Sequence, residues 1–179
     1  MERHEQLYKL VNSSLPLRPF SLVDLCCGNG SLGGLFAKHP KIERVVFVDI
    51  KKVRGLESNL SEIDIPFELH LDGIDFYNPP ENAFLIALHA CGDLADKVIT
   101  MALRTGNPFV VVPCCYNKNS LPLMPEKIPL VVPTSRRAFY DACRVSYAME
   151  KGYRVEEIYL DRKVTPMNTV LAGFPKYIL

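Results

Sequence analysis

Residues 23–33, Val23-Asp24-Leu25-Cys26-Cys27-Gly28-Asn29-Gly30-Ser31-Leu32-Gly33, read as a buried strand that runs into a glycine turn and opens a helix. A second apolar run, Val45-Val46-Phe47-Val48, ends at Asp49, 21 residues beyond Gly28. Glycines in the turn let a ligand come against bare backbone. A carboxylate one strand further on can accept hydrogen bonds from ribose hydroxyls. Together the two features predict a pocket shaped for a nucleotide cofactor.

The rest of the chain alternates in the same way. Leu7, Leu10 and Val11 recur at helical spacing within residues 2–12, and Pro16 and Pro19 end that segment. Apolar runs predict strands over 20–26, 44–49, 66–71, 84–89 and 109–113, with helices over 31–38, 51–61 and 93–105. In the last of these helices Leu94, Val98 and Met101 share a face, and Gly106 is a natural stop. Pro122, Pro125, Pro129 and Pro133 exclude a long regular element from residues 116–135. A helix over 137–151 follows, with Phe139, Ala142, Val145 and Met149 along a stripe. Strands at 153–160 and 169–174 are then joined by a short turn containing Pro166, and must pair antiparallel. Elsewhere the alternation implies an α/β fold with a parallel sheet and right-handed crossovers.

The 179 residues suit one domain, 1–179, large enough to bury a core unaided. A formal net charge of +1 does not mark a strong polyanion binder, although a local basic patch remains compatible with it. The six cysteines, at 26, 27, 91, 114, 115 and 143, include two adjacent pairs, which is unlike a secreted disulfide framework. The opening Met1–Gln6 is polar, and no apolar run approaches a membrane span. A reducing, cytoplasmic setting is expected, with no membrane and no DNA as partners.

Gly28-x-Gly30-x-x-Gly33 with Asp49 also satisfies the dinucleotide fingerprint, which would suit an NAD(P)-dependent reductase. Three features oppose that. Asp24 would repel a pyrophosphate, whereas a buried strand-end carboxylate is tolerable beside a cationic ligand such as S-adenosylmethionine. The chain is short for a second mononucleotide-binding half. The closing hairpin is the wrong ending for a six-stranded parallel sheet.

Asp24-Leu25-Cys26-Cys27-Gly28-Asn29-Gly30 resembles the first motif of class I S-adenosylmethionine-dependent methyltransferases, and the resemblance extends over nearly the whole chain. It implies a Rossmann-like fold whose seven-stranded sheet has the order 3-2-1-4-5-7-6. In one departure, Cys26 stands where that motif normally has its first glycine. A narrower resemblance lies in Leu88-His89-Ala90-Cys91-Gly92-Asp93-Leu94, Val112-Pro113-Cys114-Cys115-Tyr116 and Thr165-Pro166-x-Asn168. These segments are similar to motifs of the methyltransferase-like 25 proteins and, more distantly, the Trm13-type tRNA 2′-O-methyltransferases. They imply methyl transfer with RNA as a partner. Separately, the short amino-terminal segment leaves little for RNA recognition, so a substrate-presenting protein subunit is the other expected partner.

The resemblance assigns cofactor contacts to Asp24 (methionine ammonium), Cys26, Cys27, Gly28, Asn29 and Gly30 (the turn), Asp49 and Ile50, Asp72 and Gly73 (adenine), and His89. Asp75 competes with Asp72 for the adenine contact, and either could be a helix cap. Cys91, Asp93, Tyr116 and Asn117 fall where a methyl acceptor would dock, and Tyr116 could stack on a base. His89 is the first candidate for proton removal, because histidine titrates near neutrality. Cys114 and Cys115 are candidate catalytic thiols, by analogy with the cysteine nucleophile of RNA 5-methylcytosine enzymes. The bland readings are inert cysteine packing and an N-cap at Asp93. A zinc site from Cys91, Cys114, Cys115 and His89 has the right ligands but no Cys-x-x-Cys spacing, so no metal is expected. Lys51, Lys52, Arg54, Arg136, Arg137 and Arg144 read as solvated faces, and the loop before Arg136 as the better substrate contact. A cofactor-binding, non-catalytic partner subunit is the rival outside enzymes.

Overall fold

The computed structural model describes residues 2–116, 123–127 and 135–176. Its strands are β1 (Phe20–Leu25), β2 (Ile42–Asp49), β3 (Phe67–Leu71), β4 (Ala83–Ala90), β5 (Phe109–Pro113), β6 (Tyr153–Tyr159) and β7 (Thr169–Pro175). They form one seven-stranded sheet in the order β3-β2-β1-β4-β5-β7-β6. The first five strands run parallel, and β7 is antiparallel to both β5 and β6. This is the order and the closing hairpin expected from the sequence.

Alternation along the strands sends side chains to two cores. Leu22, Val45, Phe47, Phe84 and Ile86 face helices α1 (Glu2–Val11), α2 (Ser31–Phe36) and α3 (Leu56–Leu60). Val23, Leu25, Val46, Val48, Leu85 and Ala87 face α4 (Leu94–Thr105) and α5 (Arg136–Glu150). With both faces covered, the central strands read as unbroken apolar runs rather than alternating ones. All five parallel strands therefore bring their carboxyl ends to one edge, where such folds bind ligands.

Three local expectations are corrected. The predicted helix over 51–61 shrinks to α3, because Gly55 is left-handed, at φ +88°, immediately before it. On α5, Val145 of the predicted stripe packs on the core, but Met149 is half exposed. The buried face is instead Tyr140, Asp141, Cys143, Arg144 and Ala148. Arg144, read as solvated, is 1% exposed: it donates from Nε to Asp96 Oδ1 at 2.8 Å and from Nη1 to Asp141 Oδ1 at 3.2 Å. Two carboxylates and five fixed donors make its burial tolerable. Arg137 is also engaged, donating to Pro166 O, Asn168 Oδ1 and Thr169 Oγ1. The Thr165-Pro166-x-Asn168 segment thus pins the β6–β7 hairpin to α5.

Candidate functional site

The site begins where β1 ends. Asp24 is 1% exposed and points toward α2, where the Gly33 amide donates to its Oδ2 at 2.9 Å. Burial raises its carboxyl to about 7; the Gly33 hydrogen bond opposes the rise and the nearby Asp49 charge adds to it. Among the described residues no lysine or arginine forms an ion pair with it. The one internal arginine found there, Arg144, is committed to Asp96 and Asp141.

The chain then turns sharply. Cys26 (φ +59°), Gly28 (φ +56°) and Gly30 (φ +74°) are all left-handed. The departure at Cys26 therefore falls on a backbone position that glycine fits more easily, at a strain of about 1–2 kcal/mol. Burial pushes the Cys26 thiol up to about 12. A Cβ at Gly28 would meet nothing within 4 Å, so the backbone there borders open space. The turn is held from three sides: the Cys27 amide donates to Val48 O at 3.1 Å, the Gly28 amide to Asp49 Oδ2 at 2.9 Å, and Asn59 Nδ2 to Asn29 O at 2.7 Å. Asn29 Oδ1 accepts from the Ser31 amide at 3.3 Å, folding back on its own turn.

Asp49 ends β2 with Ile50 beside it, 72% exposed. Asp72 follows β3, and its Oδ1 accepts from the amide of Gly73 at 2.7 Å. Asp75 and Asp93 have a different partner: Lys97 Nζ lies 2.7 Å from Asp75 Oδ2 and 3.4 Å from Asp93 Oδ2. Asp93 occupies the N-cap position of α4 but makes no side-chain cap bond there.

His89 is left-handed, at φ +62°, and the β4–β5 register shifts between Leu88 and Ala90. Strained non-glycine residues tend to collect at functional sites, and here both lie at the strand ends. Arg3 of α1 is within 3.2 Å of His89 Nε2. A guanidinium can only donate, so Nε2 accepts and the ring is neutral. Burial and the Arg3 charge both lower the His89 titration below its ordinary value. His4, also on α1, falls to about 4, mainly from burial. Sequence reading overlooked Arg3 and His4, because nothing in a polar amino-terminal helix tells which strand end it leans over.

Beyond β4 and β5 three thiols converge. Cys115 Sγ lies 3.5 Å from Cys91 Sγ and 3.5 Å from Cys114 Sγ. Cys114 is buried, donating to His89 O at 3.4 Å, whereas Cys91 and Cys115 are exposed. Burial and the neighbouring thiols push the Cys114 thiol well up, which leaves it protonated near neutrality. Tyr116 is anchored: its hydroxyl donates to Asp141 Oδ2 at 2.7 Å, and its ring lies 5.5 Å from the Arg144 guanidinium. Asn117 lies outside the described residues.

The geometry thus gathers Asp24, Asp49 and Asp72 at three strand ends around an open glycine turn, with His89 and the thiols on the next two strands. The solvent-reachable carboxylates of Asp49 and Asp72 disfavour phosphates at this edge, whereas Asp24 is buried.

A family profile described as a methyltransferase domain matches residues 4–120. A "Glutathione S-transferase C-terminal domain-containing protein" of Bos taurus is 25% identical over 207 residues, which cover 94% of this chain and 32% of that protein. The chain thus spans about a third of the length of the curated relatives it matches. Among solved structures, the ribosomal protein L11 methylase from Lactobacillus delbrueckii subsp. bulgaricus superposes with a TM-score of 0.62 at 12% identity, covering 99% of this chain and 81% of that one. The N-methyltransferase NodS from Bradyrhizobium japonicum WM9 superposes at 0.59 with 13% identity, covering 97% and 93%. At those identities the likeness is one of fold.

Proposed function

The chain belongs to a methyltransferase-domain family, and from that premise we propose that it moves a methyl group from S-adenosylmethionine to an acceptor docked at the ends of β4 and β5. One observation carries the reading: the Asp24 carboxyl is buried at the tip of β1, unpaired with any described cation, beneath a turn with open space over Gly28. A buried acid in that state is costly on its own, and a ligand ammonium offsets the cost.

The residues present fit the cofactor. Asp24 would hold the methionine ammonium, directly or through water. Cys26, Cys27, Gly28, Asn29 and Gly30 would lay backbone against the methionine and ribose. Asp49 already accepts from the Gly28 amide and retains lone pairs for ribose hydroxyls. Ile50 offers an exposed apolar face to the adenine ring, and Asp72 with Gly73 an edge for its amino group. When bound, S-adenosylmethionine supplies a methyl group already activated by its sulfonium.

The work left to the protein is to hold donor and acceptor in line, where proximity supplies most of the rate. His89 is neutral and can take a proton from a hydroxyl or amine acceptor once Arg3 yields its Nε2. Cys91, Cys114, Cys115 and Asp93 would flank the acceptor. Tyr116 and Asn117 would border it, Tyr116 as a rigid wall because its hydroxyl is tied to Asp141. RNA is the acceptor class favoured by the motifs around His89 and Cys114, with a partner subunit presenting it.

The test is tritiated-methyl transfer to cell extract split into RNA, protein and small-molecule fractions. Label in the RNA fraction, lost with Asp24→Ala, is expected. Label in another fraction would overturn the RNA assignment. No label in any fraction, with cofactor bound, would make the chain a non-catalytic subunit.

A further inference from the structure

Flanking a methyl acceptor does not by itself require three converging thiols at the carboxyl ends of β4 and β5. Ala90 and Pro113 are register partners in neighbouring parallel strands, so the residues just beyond them emerge side by side. Cys91 follows one strand, and Cys114 and Cys115 follow the other. Their sulfurs all lie within 4.8 Å of one another, and two of the separations are 3.5 Å. Core packing accounts for Cys114, which is buried, but not for Cys91 and Cys115, which are exposed yet face each other. In a tetrahedral thiolate site with metal–sulfur bonds of about 2.3 Å, the sulfurs are about 3.8 Å apart. Two edges need a change of only a few tenths of an ångström, and the third, between Cys91 and Cys114, needs at most about 1 Å.

We propose that Cys91, Cys114 and Cys115 bind one zinc ion as three thiolates, with a fourth position open above the strand ends. Three S–H bonds break, three zinc–sulfur bonds form, and three protons leave to solvent; nothing is oxidised or reduced. The ion carries two positive charges and the ligands three negative ones, so the centre is anionic by one. The exposure of Cys91 and Cys115 leaves the fourth position to water or to a heteroatom of the acceptor, and zinc lowers the pKa of either. The Cys-x-x-Cys spacing is unnecessary here, because the parallel pairing of two strands brings ligands from two segments together.

The experiment is a cobalt(II) titration of the full chain, reduced and metal-free, with no methyl donor present. One cobalt per chain is expected, with a sulfur-to-cobalt charge-transfer band, visible bands of a tetrahedral site, and displacement by zinc. Three protons should be released per ion. Cys115→Ser alters an exposed side chain, so folding is not at risk, and it should weaken binding by about 100-fold or more, at least the loss seen for an outer-shell partner. Cys143→Ala, on α5, should bind normally. No charge-transfer band with every thiol reduced, or binding that survives Cys115→Ser, would overturn the proposal. The readout involves no cofactor, so this site and the methyl-donor pocket stand or fall separately.

Discussion

The Gly33 amide donates to Asp24 Oδ2 at 2.9 Å, and a Cβ placed on Gly33 would lie 3.0 Å from that oxygen and 2.5 Å from Cε1 of Phe47. The third glycine of the turn is therefore required by close packing of α2 on the sheet, and the same contact orients the buried acid. Gly33→Ala gains about 1 kcal/mol of helix propensity. It also forces the fully buried Phe47 ring to move, and overpacking costs about 1–3 kcal/mol. Strain on the Asp24 hydrogen bond adds about 1 kcal/mol. Urea denaturation should show a net loss of about 1–3 kcal/mol.

Asp24 makes the protein pH-sensitive in a direction that can be worked out. Its folded carboxyl titrates at about 7 and its unfolded one near 3.8. The native state thus binds more protons, so this group's contribution is most favourable below pH 3.8 and is lost as pH rises to 7. The loss is on the order of 4 kcal/mol. Asp24→Asn should remove this slope, so the difference between the two stability curves widens in the variant's favour over that interval and the unliganded variant is relatively more stable at pH 8. Denaturant titrations of both proteins from pH 4 to 8 check it.

Cys26 and Gly28 share a left-handed backbone but should respond differently to substitution. Cys26→Gly relieves about 1 kcal/mol of strain and adds a similar amount of unfolded-state entropy, so stability should change by less than about 1 kcal/mol. Gly28→Ala meets no atom within 4 Å, so its cost is conformational alone, about 1–2 kcal/mol. Thermal unfolding of the two variants separates them.

Arg144→Ala leaves the buried Asp141 and the largely buried Asp96 without their cation, and Tyr116 without its anchor's counter-charge. Breaking such a pair typically costs about 3–5 kcal/mol. Chemical denaturation measures it, and a change under 1 kcal/mol would show that the network is solvated.

Removing Arg3 takes a positive charge from His89, so Arg3→Ala should raise the His89 titration toward 6.5. Imidazole proton shifts in NMR follow it directly. With His89 as base, the acid limb of turnover lies below pH 6.5 and moves up in the variant.

Much of this arrangement could be read in the sequence, because spacing along a βαβ unit determines where each strand ends. Asp24, Gly28 and Asp49 needed only that count, and so did the antiparallel β6–β7 pair, which has no room for a helix between its strands. Other features depend on contacts between distant segments. Arg3 and His89 are 86 residues apart. Cys91 and Cys115 are 24 apart and meet only because β4 and β5 are neighbours. Arginine is rarely buried without partners, so sequence alone places Arg144 in solvent, and one of its partners, Asp96, is 48 residues away. The reduced length of α3 was hidden because Gly55 can adopt either hand of helix.

The account rests on Asp24 meeting a cationic cofactor tail, and calorimetric titration with S-adenosylhomocysteine tests this most directly. One site per chain is predicted, about tenfold weaker at pH 6 than at pH 8 as the acid protonates. That pH dependence should disappear in Asp24→Asn, and NADH should give no heat. Tight NADH binding, or S-adenosylhomocysteine affinity unchanged by pH and by Asp24→Asn, would contradict it.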